Sequence, residues 1–154
     1  MPLYESQEDR ETEHKIACFL ESKLKARAIP SDDLAGFDLG LYRVDSKTLE
    51  IRLFAVVEIK SRREFAKYDT YKIARYKFLN LLSFLSRGVR AYLVVHEDST
   101  GDVWVASVRK SIEIGVDRFW GRDDRPNDRT SKGETSIIRK DAFRLLGNVL
   151  TELQ

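Results

Sequence analysis

In the stretch FAVVEIKSRRE (residues 54–64), an acid and a base stand one position apart at the end of a dense apolar run. Side chains alternate along a strand, so Phe54, Val56, Glu58 and Lys60 are expected on one face and Leu53, Ala55, Val57 and Ile59 on the other. Glu58 and Lys60 would then reach the strand's end side by side. Upstream, GFDLG (residues 36–40) sets Asp38 at the mouth of a second apolar run. Brought to one edge by adjacent strands, Asp38 and Glu58 would make an oxygen site for a divalent cation, since Mg2+ takes one or two carboxylates and keeps several waters. Such an ion acidifies water and stabilises charge on a phosphate oxygen, while a neighbouring lysine can orient or help deprotonate the nucleophile. The chemistry that suits these residues is phosphodiester hydrolysis. Against it stands simple alternation, because Glu-x-Lys also arises on solvent-facing strands with no site at all.

A further carboxylate lies upstream in phase. Residues 8–28 carry Ile16, Leu20 and Leu24 at four-residue spacing, which predicts a helix closed by Pro30. Stepping back along that stripe reaches Glu13 or Thr12, whereas Glu8, Glu11 and Glu21 fall away from it. Glu13 therefore has two readings: an acid aimed at the sheet edge, or a first-turn acid favoured by the helix dipole.

The elements that must position these residues follow in order. Residues 37–44 and 49–60 read as the strands of a hairpin turning at residues 45–47. Residues 68–87 read as a helix with a broad apolar face (Ile73, Tyr76, Leu79, Phe84), stopped by Gly88. Apolar β runs follow at 91–96 and 103–108. The polar, arginine-rich segment WGRDDRPNDRTSKG (residues 120–133) reads as a loop, 135–138 as a short strand and 142–153 as a closing helix. Helix, hairpin, helix and further strands make an α/β domain, a central mixed sheet flanked by helices, expected as one domain over residues 1–154.

Composition removes several alternatives. A 154-residue chain that is 42% hydrophobic can bury a real core. The only cysteine, Cys18, rules out an internal disulfide and a cysteine-based zinc site, and two histidines leave little for histidine-rich metal chemistry. No apolar run is long enough to span a membrane, and the acidic start MPLYESQEDRETEH lacks a signal peptide's apolar segment, so a cytoplasmic protein is expected. The net charge of +2 hides an asymmetry. Residues 60–90 hold nine Lys or Arg (60, 62, 63, 67, 72, 75, 77, 87, 90) against Glu64 and Asp69. Interleaved with Tyr68, Tyr71 and Tyr76, this stretch is either a footprint for a polyanion or a solvated helix face.

Asp38, Glu58-x-Lys60 and the α-β-β-α-β order together resemble the PD-(D/E)XK nuclease superfamily, with its restriction-endonuclease-like core. Phe37 stands where that family often has proline. The spacing of Glu13, Ile16 and Leu20, and the run of VEIKSRR into basic residues, is similar to Holliday junction resolvases. The chain also resembles small phage-encoded members, with Lys77 as the second-helix lysine and Gly121, Arg122, Asp124 and Arg125 as a late segment. The resemblance implies Mg2+-dependent (or Mn2+-dependent) hydrolysis of DNA, with branched DNA as one substrate class, in a host cell's cytoplasm. It implies Asp38 and Glu58 as metal ligands with the Ile59 carbonyl, Glu13 completing the site or orienting a water, and Lys60 serving the nucleophile. Lys77 and Arg75 would face the phosphates or stay surface cations, and Tyr71 would support them or simply pack. Arg62, Arg63 and Arg122 would guide the backbone without reading sequence. A homodimer is an assembly open to such a protein. Two rivals remain: a non-catalytic DNA-binding module that keeps the fold, and an interaction protein using Trp104 or Phe119–Trp120 as an exposed surface.

Overall fold

The computed structural model describes residues 7–31, 36–67, 70–120 and 134–149. Its elements are α1 (Gln7–Leu24), β1 (Arg27–Pro30), β2 (Leu39–Val44), β3 (Ile51–Arg62), a 3-10 turn (Phe65–Lys67), β4 (Thr70–Ala74) and α2 (Arg75–Ser86). After these come β5 (Arg90–Glu97), β6 (Asp102–Ser107), α3 (Val108–Ile114), β7 (Val116–Trp120), β8 (Glu134–Arg139) and β9 (Arg144–Asn148). Six strands form one sheet in the order β1-β2-β3-β5-β6-β9, and three form another in the order β4-β8-β7. The large sheet is mixed: β3 and β5 run parallel, joined through α2, and the other pairs are antiparallel. This is the mixed sheet flanked by helices that the sequence predicts.

Each face of the large sheet carries its own core. Ile16, Ala17, Phe19 and Leu20 of α1 pack on Leu39, Leu41, Ala55, Val57 and Val94. On the other face Phe78, Leu81 and Phe84 of α2, with Tyr71 and Ile73 of β4, pack on Val56, Leu93 and Val95. β5 shows the reason, since Ala91, Leu93 and Val95 serve one core and Val94 the other. A parallel strand covered on both faces must be apolar in consecutive positions, which explains the density of the run 53–59.

Several expected elements differ. The alternation along β3 breaks at Phe54, where Leu41 pairs with Ala55 but Tyr42 pairs with Leu53. This bulge puts Leu53 on the Val56 side and Phe54 against the α1 core. Beyond it, Val56, Glu58 and Lys60 keep the expected common face. The helix expected from residue 68 begins only at Arg75, because Thr70–Ala74 is strand β4. Its burial alternates, Tyr71 and Ile73 in and Thr70 and Lys72 out, a period of two within residues that can also be read as helical. The first helix ends at Leu24, and Ala28 sits in the edge strand β1 instead. Val108 starts α3 where Ser107 caps the helix, its hydroxyl accepting from the Lys110 amide at 2.9 Å. Of the closing helix expected over residues 142–153, residues 144–148 are corrected to the edge strand β9, paired with β6, and residues 150–153 lie outside the described residues. Trp104 is no exposed partner surface, being packed against Phe65 with its indole N–H donating to Glu97 at 3.4 Å.

Candidate active site

Asp38 is held by the backbone on both sides. Its amide donates to the Val57 carbonyl at 2.9 Å, and its carbonyl accepts from the Ser31 amide at 3.0 Å. Gly36, at φ +80, makes the turn that delivers it, and a Cβ there would run into Asn80, whose side chain donates to the Gly36 carbonyl at 2.9 Å. Phe37, at the position where proline is common in the family resembled, packs edge-on against Phe84 with ring centroids 5.3 Å apart. Packing into the α2 core thus fixes a turn that a proline ring would otherwise stiffen.

The Asp38 carboxylate accepts from the Ile59 amide at 2.6 Å. The amide and carbonyl of one strand residue leave the same edge, so the Ile59 carbonyl opens toward Asp38 as well. Glu58, one residue earlier, projects to the α2 face and is 6% exposed. Burial pushes its carboxyl up from 4.5 to about 7, and the Asp38 charge adds to the rise, against Lys77 and Lys60, which draw it down. The Lys77 ammonium stands 3.6 Å from Glu58 Oε1. Lys60 lies on the same face, its ammonium donating to the Lys72 carbonyl at 3.3 Å and standing 5.4 Å from the centre of the Tyr71 ring. Asp38, Glu58, Ile59, Lys60 and Lys77 are therefore brought together.

The remaining candidates sit further out. Arg62 and Arg63 continue β3 past the site, where their carbonyls accept from the Asp98 and Ser99 amides at 2.8 and 3.1 Å. Both lie at the carboxyl ends of the parallel pair β3 and β5, Arg63 exposed and Arg62 half-buried. Arg75 is the first residue of α2, whose first turn holds no acid and whose Ala74 cap makes no side-chain hydrogen bond. Glu13 is half-buried in α1, which packs on the face opposite to Glu58 and Lys60. No group of three metal-binding side chains forms among the described residues. Arg122 lies outside the described residues.

Sequence reasoning missed Glu97. It is 3% exposed and accepts from the Ala66 amide at 2.8 Å and the Thr100 hydroxyl at 3.1 Å. It thereby ties the turn after Arg63 to the end of β5. A glutamate closing an apolar run was its only signal, and that signal points equally to a surface turn.

The raised Glu58 carboxyl sets a test of its own. Between about pH 4.5 and 7 the folded, metal-free protein keeps a proton that the unfolded chain releases. Stability should therefore fall as pH rises through that window, by about 3 kcal/mol if Glu58 acts alone. Urea unfolding in chelator should show this slope in the wild type and a flatter one in Glu58→Gln. Equal slopes in the two proteins would mean that Glu58 titrates normally.

Asp38, just ahead of β2, thus meets Glu58 and Lys60 at the end of β3, in a mixed sheet with helices on both faces, the architecture of a restriction-endonuclease-like fold. Residues 1–139 match the family described as "Phage putative PDDEXK endonuclease", and the chain belongs to that family. The fold is also similar to that of a nuclease from a fusselovirus, at 13% identity and a TM-score of 0.58, over 95% of this chain and 90% of that one. No curated protein matches the chain.

Proposed function

We propose that this nuclease is a Mg2+-dependent or Mn2+-dependent DNA endonuclease working as a single domain, with Asp38 and Glu58 as its metal carboxylates and Lys60 as the residue that serves the attacking water. The observation that carries this reading is the meeting of Asp38 and Glu58 at the edge of β3, where burial and mutual repulsion raise Glu58. A donor set of two such carboxylates and the Ile59 carbonyl on one edge suits a hard divalent cation. When bound, that ion supplies positive charge that acidifies water and stabilises the phosphate in its transition state.

The chain's own residues do the rest. Glu58 is drawn to positive charge, which Lys77 provides in part at 3.6 Å. With the carboxylates otherwise neutralised, Lys77 becomes available to a phosphate oxygen, next to the uncapped start of α2, whose dipole favours anions. Lys60 orients the water and stabilises charge as the water oxygen bonds to phosphorus and the bond from phosphorus to the leaving sugar oxygen breaks, that oxygen taking up a proton from solvent. Glu13, on α1 across the sheet from Glu58 and Lys60, takes its part in completing the site or orienting a water from the family resemblance alone. Arg62, Arg63, Arg75 and Arg122 hold the DNA backbone.

Branched DNA is the finer form of this reading, supported by the resolvase-like spacing of Glu13, Ile16 and Leu20. The phage family supports action in a host's cytoplasm, and among the described residues no helix is long and apolar enough to cross a membrane. Supercoiled, linear, single-stranded and four-way-junction DNA, each incubated with Mg2+, Mn2+ or chelator, test the proposal. Cleavage that requires the ion supports it, and the junction arm tests branch preference. The rival is a non-catalytic DNA-binding module, and the absence of a third clustered metal-binding side chain among the described residues is the observation on its side. Binding without cleavage of any substrate would select it.

The basic pair makes a separate prediction. Arg62→Ala combined with Arg63→Ala should weaken binding to all DNA sequences alike and reduce the slope of log K against log salt by about one to two. Fluorescence anisotropy across a salt series measures this. An unchanged slope would return both arginines to solvated surface charge.

A further inference from the structure

Among the described side chains Tyr76 is the one exposed aromatic, 50% exposed, and Leu79, its neighbour three residues on along α2, is 47% exposed. The sequence places both on the apolar face of this helix, but the core takes Phe78, Leu81 and Phe84 and leaves these two outside. The pair flanks the site. Tyr76 directly precedes Lys77, whose ammonium stands 3.6 Å from Glu58 Oε1. Asn80, one turn on and on the same side of α2 as Tyr76, donates to the carbonyl of Gly36, two residues ahead of Asp38. Tyr76 therefore stands one turn nearer the start of α2, on the flank that faces the turn carrying Asp38. The charges of the segment that carries the pair are all positive: residues 70–90 contain Lys72, Arg75, Lys77, Arg87 and Arg90 and no Asp or Glu. Lys72 is exposed in β4, and Arg75 opens the helix.

We propose that Tyr76, with Leu79 beside it, is a stacking surface for an unpaired base of the DNA strand held at the nuclease site. The substrate is then DNA with a single-stranded or unstacked nucleotide next to the cleaved phosphate. This rests on the nuclease reading above for the course of the strand, and it narrows the substrate class of that same site. An apolar ring set among cations suits a ligand that combines negative charge with flat apolar faces, which is a nucleic acid strand. A second copy of this chain suits it poorly, because like charges would face each other across the contact. In a duplex the base faces are stacked inside, beyond the reach of a side chain. A ring beside the phosphate site finds its partner only where a base is unpaired. Every base has a π-face, so the contact reads strand structure and not sequence.

A single-stranded oligonucleotide carrying 2-aminopurine, titrated in chelator so that nothing is cut, reads the contact directly. Wild type should quench the 2-aminopurine fluorescence on binding. Tyr76→Ala should lose the quench and bind the single strand about tenfold more weakly. Its affinity for duplex DNA should be unchanged, and so should the slope of log K against log salt, since no charge is removed. Tyr76→Phe and Tyr76→Trp should keep both quench and affinity, because the ring face and not the hydroxyl makes the contact. A Tyr76→Ala protein that quenches and binds the single strand as wild type does, or that loses duplex and single-strand affinity alike, would overturn the proposal. Cleavage by wild type with Mn2+ would in that case leave the nuclease reading standing. Loss of binding to anionic vesicles in Tyr76→Ala, with single-strand affinity kept, would assign the face to a membrane surface and overturn the proposal as well. A Tyr76-dependent quench in a wild type that cuts no DNA with either ion would sink the nuclease reading and keep the stacking surface.

Discussion

Lys60→Ala is expected to cleave DNA about a hundred- to a thousandfold more slowly than the wild type, while binding it nearly as well. The reason lies in where the ammonium sits. Lys60 extends from the face of β3 that carries Glu58, and the Lys72 carbonyl and the Tyr71 ring hold its charge close to the carboxylates. A charge fixed in that way costs no reorganisation when negative charge develops on the attacking and phosphate oxygens. A solvated surface lysine acts differently: it contributes to affinity, weakly and in a salt-dependent manner, and little to rate. Single-turnover cleavage with saturating protein separates the two, since it reads the chemical step without the binding step. A drop in kcat with little change in affinity places Lys60 in the transition state. Cleavage at the wild-type rate would remove Lys60 from the chemistry and undo the reading of this strand. Folding should be nearly unaffected, because the stem of Lys60 lies at the end of the core and not within it.

How much of this could be read from the chain depends on whether a residue's role is set locally. Asp38, Glu58 and Lys60 were legible because alternation in β3 beyond the bulge is local, and a charge at the end of an apolar run stands out. The mixed sheet followed from a hairpin, a helix and a further apolar strand, whose order leaves few topologies. β4 was hidden because TYKIA abuts a helix that shares its apolar character, and only pairing with β8, more than sixty residues away, decides the strand. β9 was hidden likewise, since it is an edge strand whose pairing is with β6, far back in the chain. The bulge at Phe54 cannot be seen in a single strand at all, because it is a property of the pairing with β2. Lys77 was expected from resemblance as a second-helix lysine facing the phosphates, whereas its contact with Glu58 is seen only in three dimensions, where β4 turns the start of α2 toward β3. Tyr71 was legible as an aromatic in a basic stretch, and its burial only in three dimensions.

The carboxylates should show an opposite pair of effects, in which the ion response is lost and bare stability is gained. In wild type, free Mn2+ at about a hundred times its dissociation constant should stabilise the fold by about 3 kcal/mol, by mass action alone. For a chain of this length that is a rise in Tm of roughly 5 to 10 °C. Glu58→Gln should erase most of this rise and abolish cleavage. Without the ion, near neutral pH, the same variant should be more stable than wild type, because a buried charge that burial and Asp38 both disfavour has been removed. The Lys77 partner does not reverse that sign, since its side chain is 42% exposed and can return to water. Asp38→Asn should also lose most of the ion response. Its stability gain should be smaller, because the charged Asp38 carboxylate accepts from the Ile59 amide at 2.6 Å and the neutral amide oxygen of Asn would accept that bond less strongly. A structural ion pair behaves otherwise, since breaking it destabilises the fold with or without metal. An Asp38→Asn protein with the full wild-type ion response would take Asp38 out of the site. A Glu58→Gln protein less stable than wild type in chelator would make Glu58 a structural partner of Lys77 and not a ligand held ready for a cation.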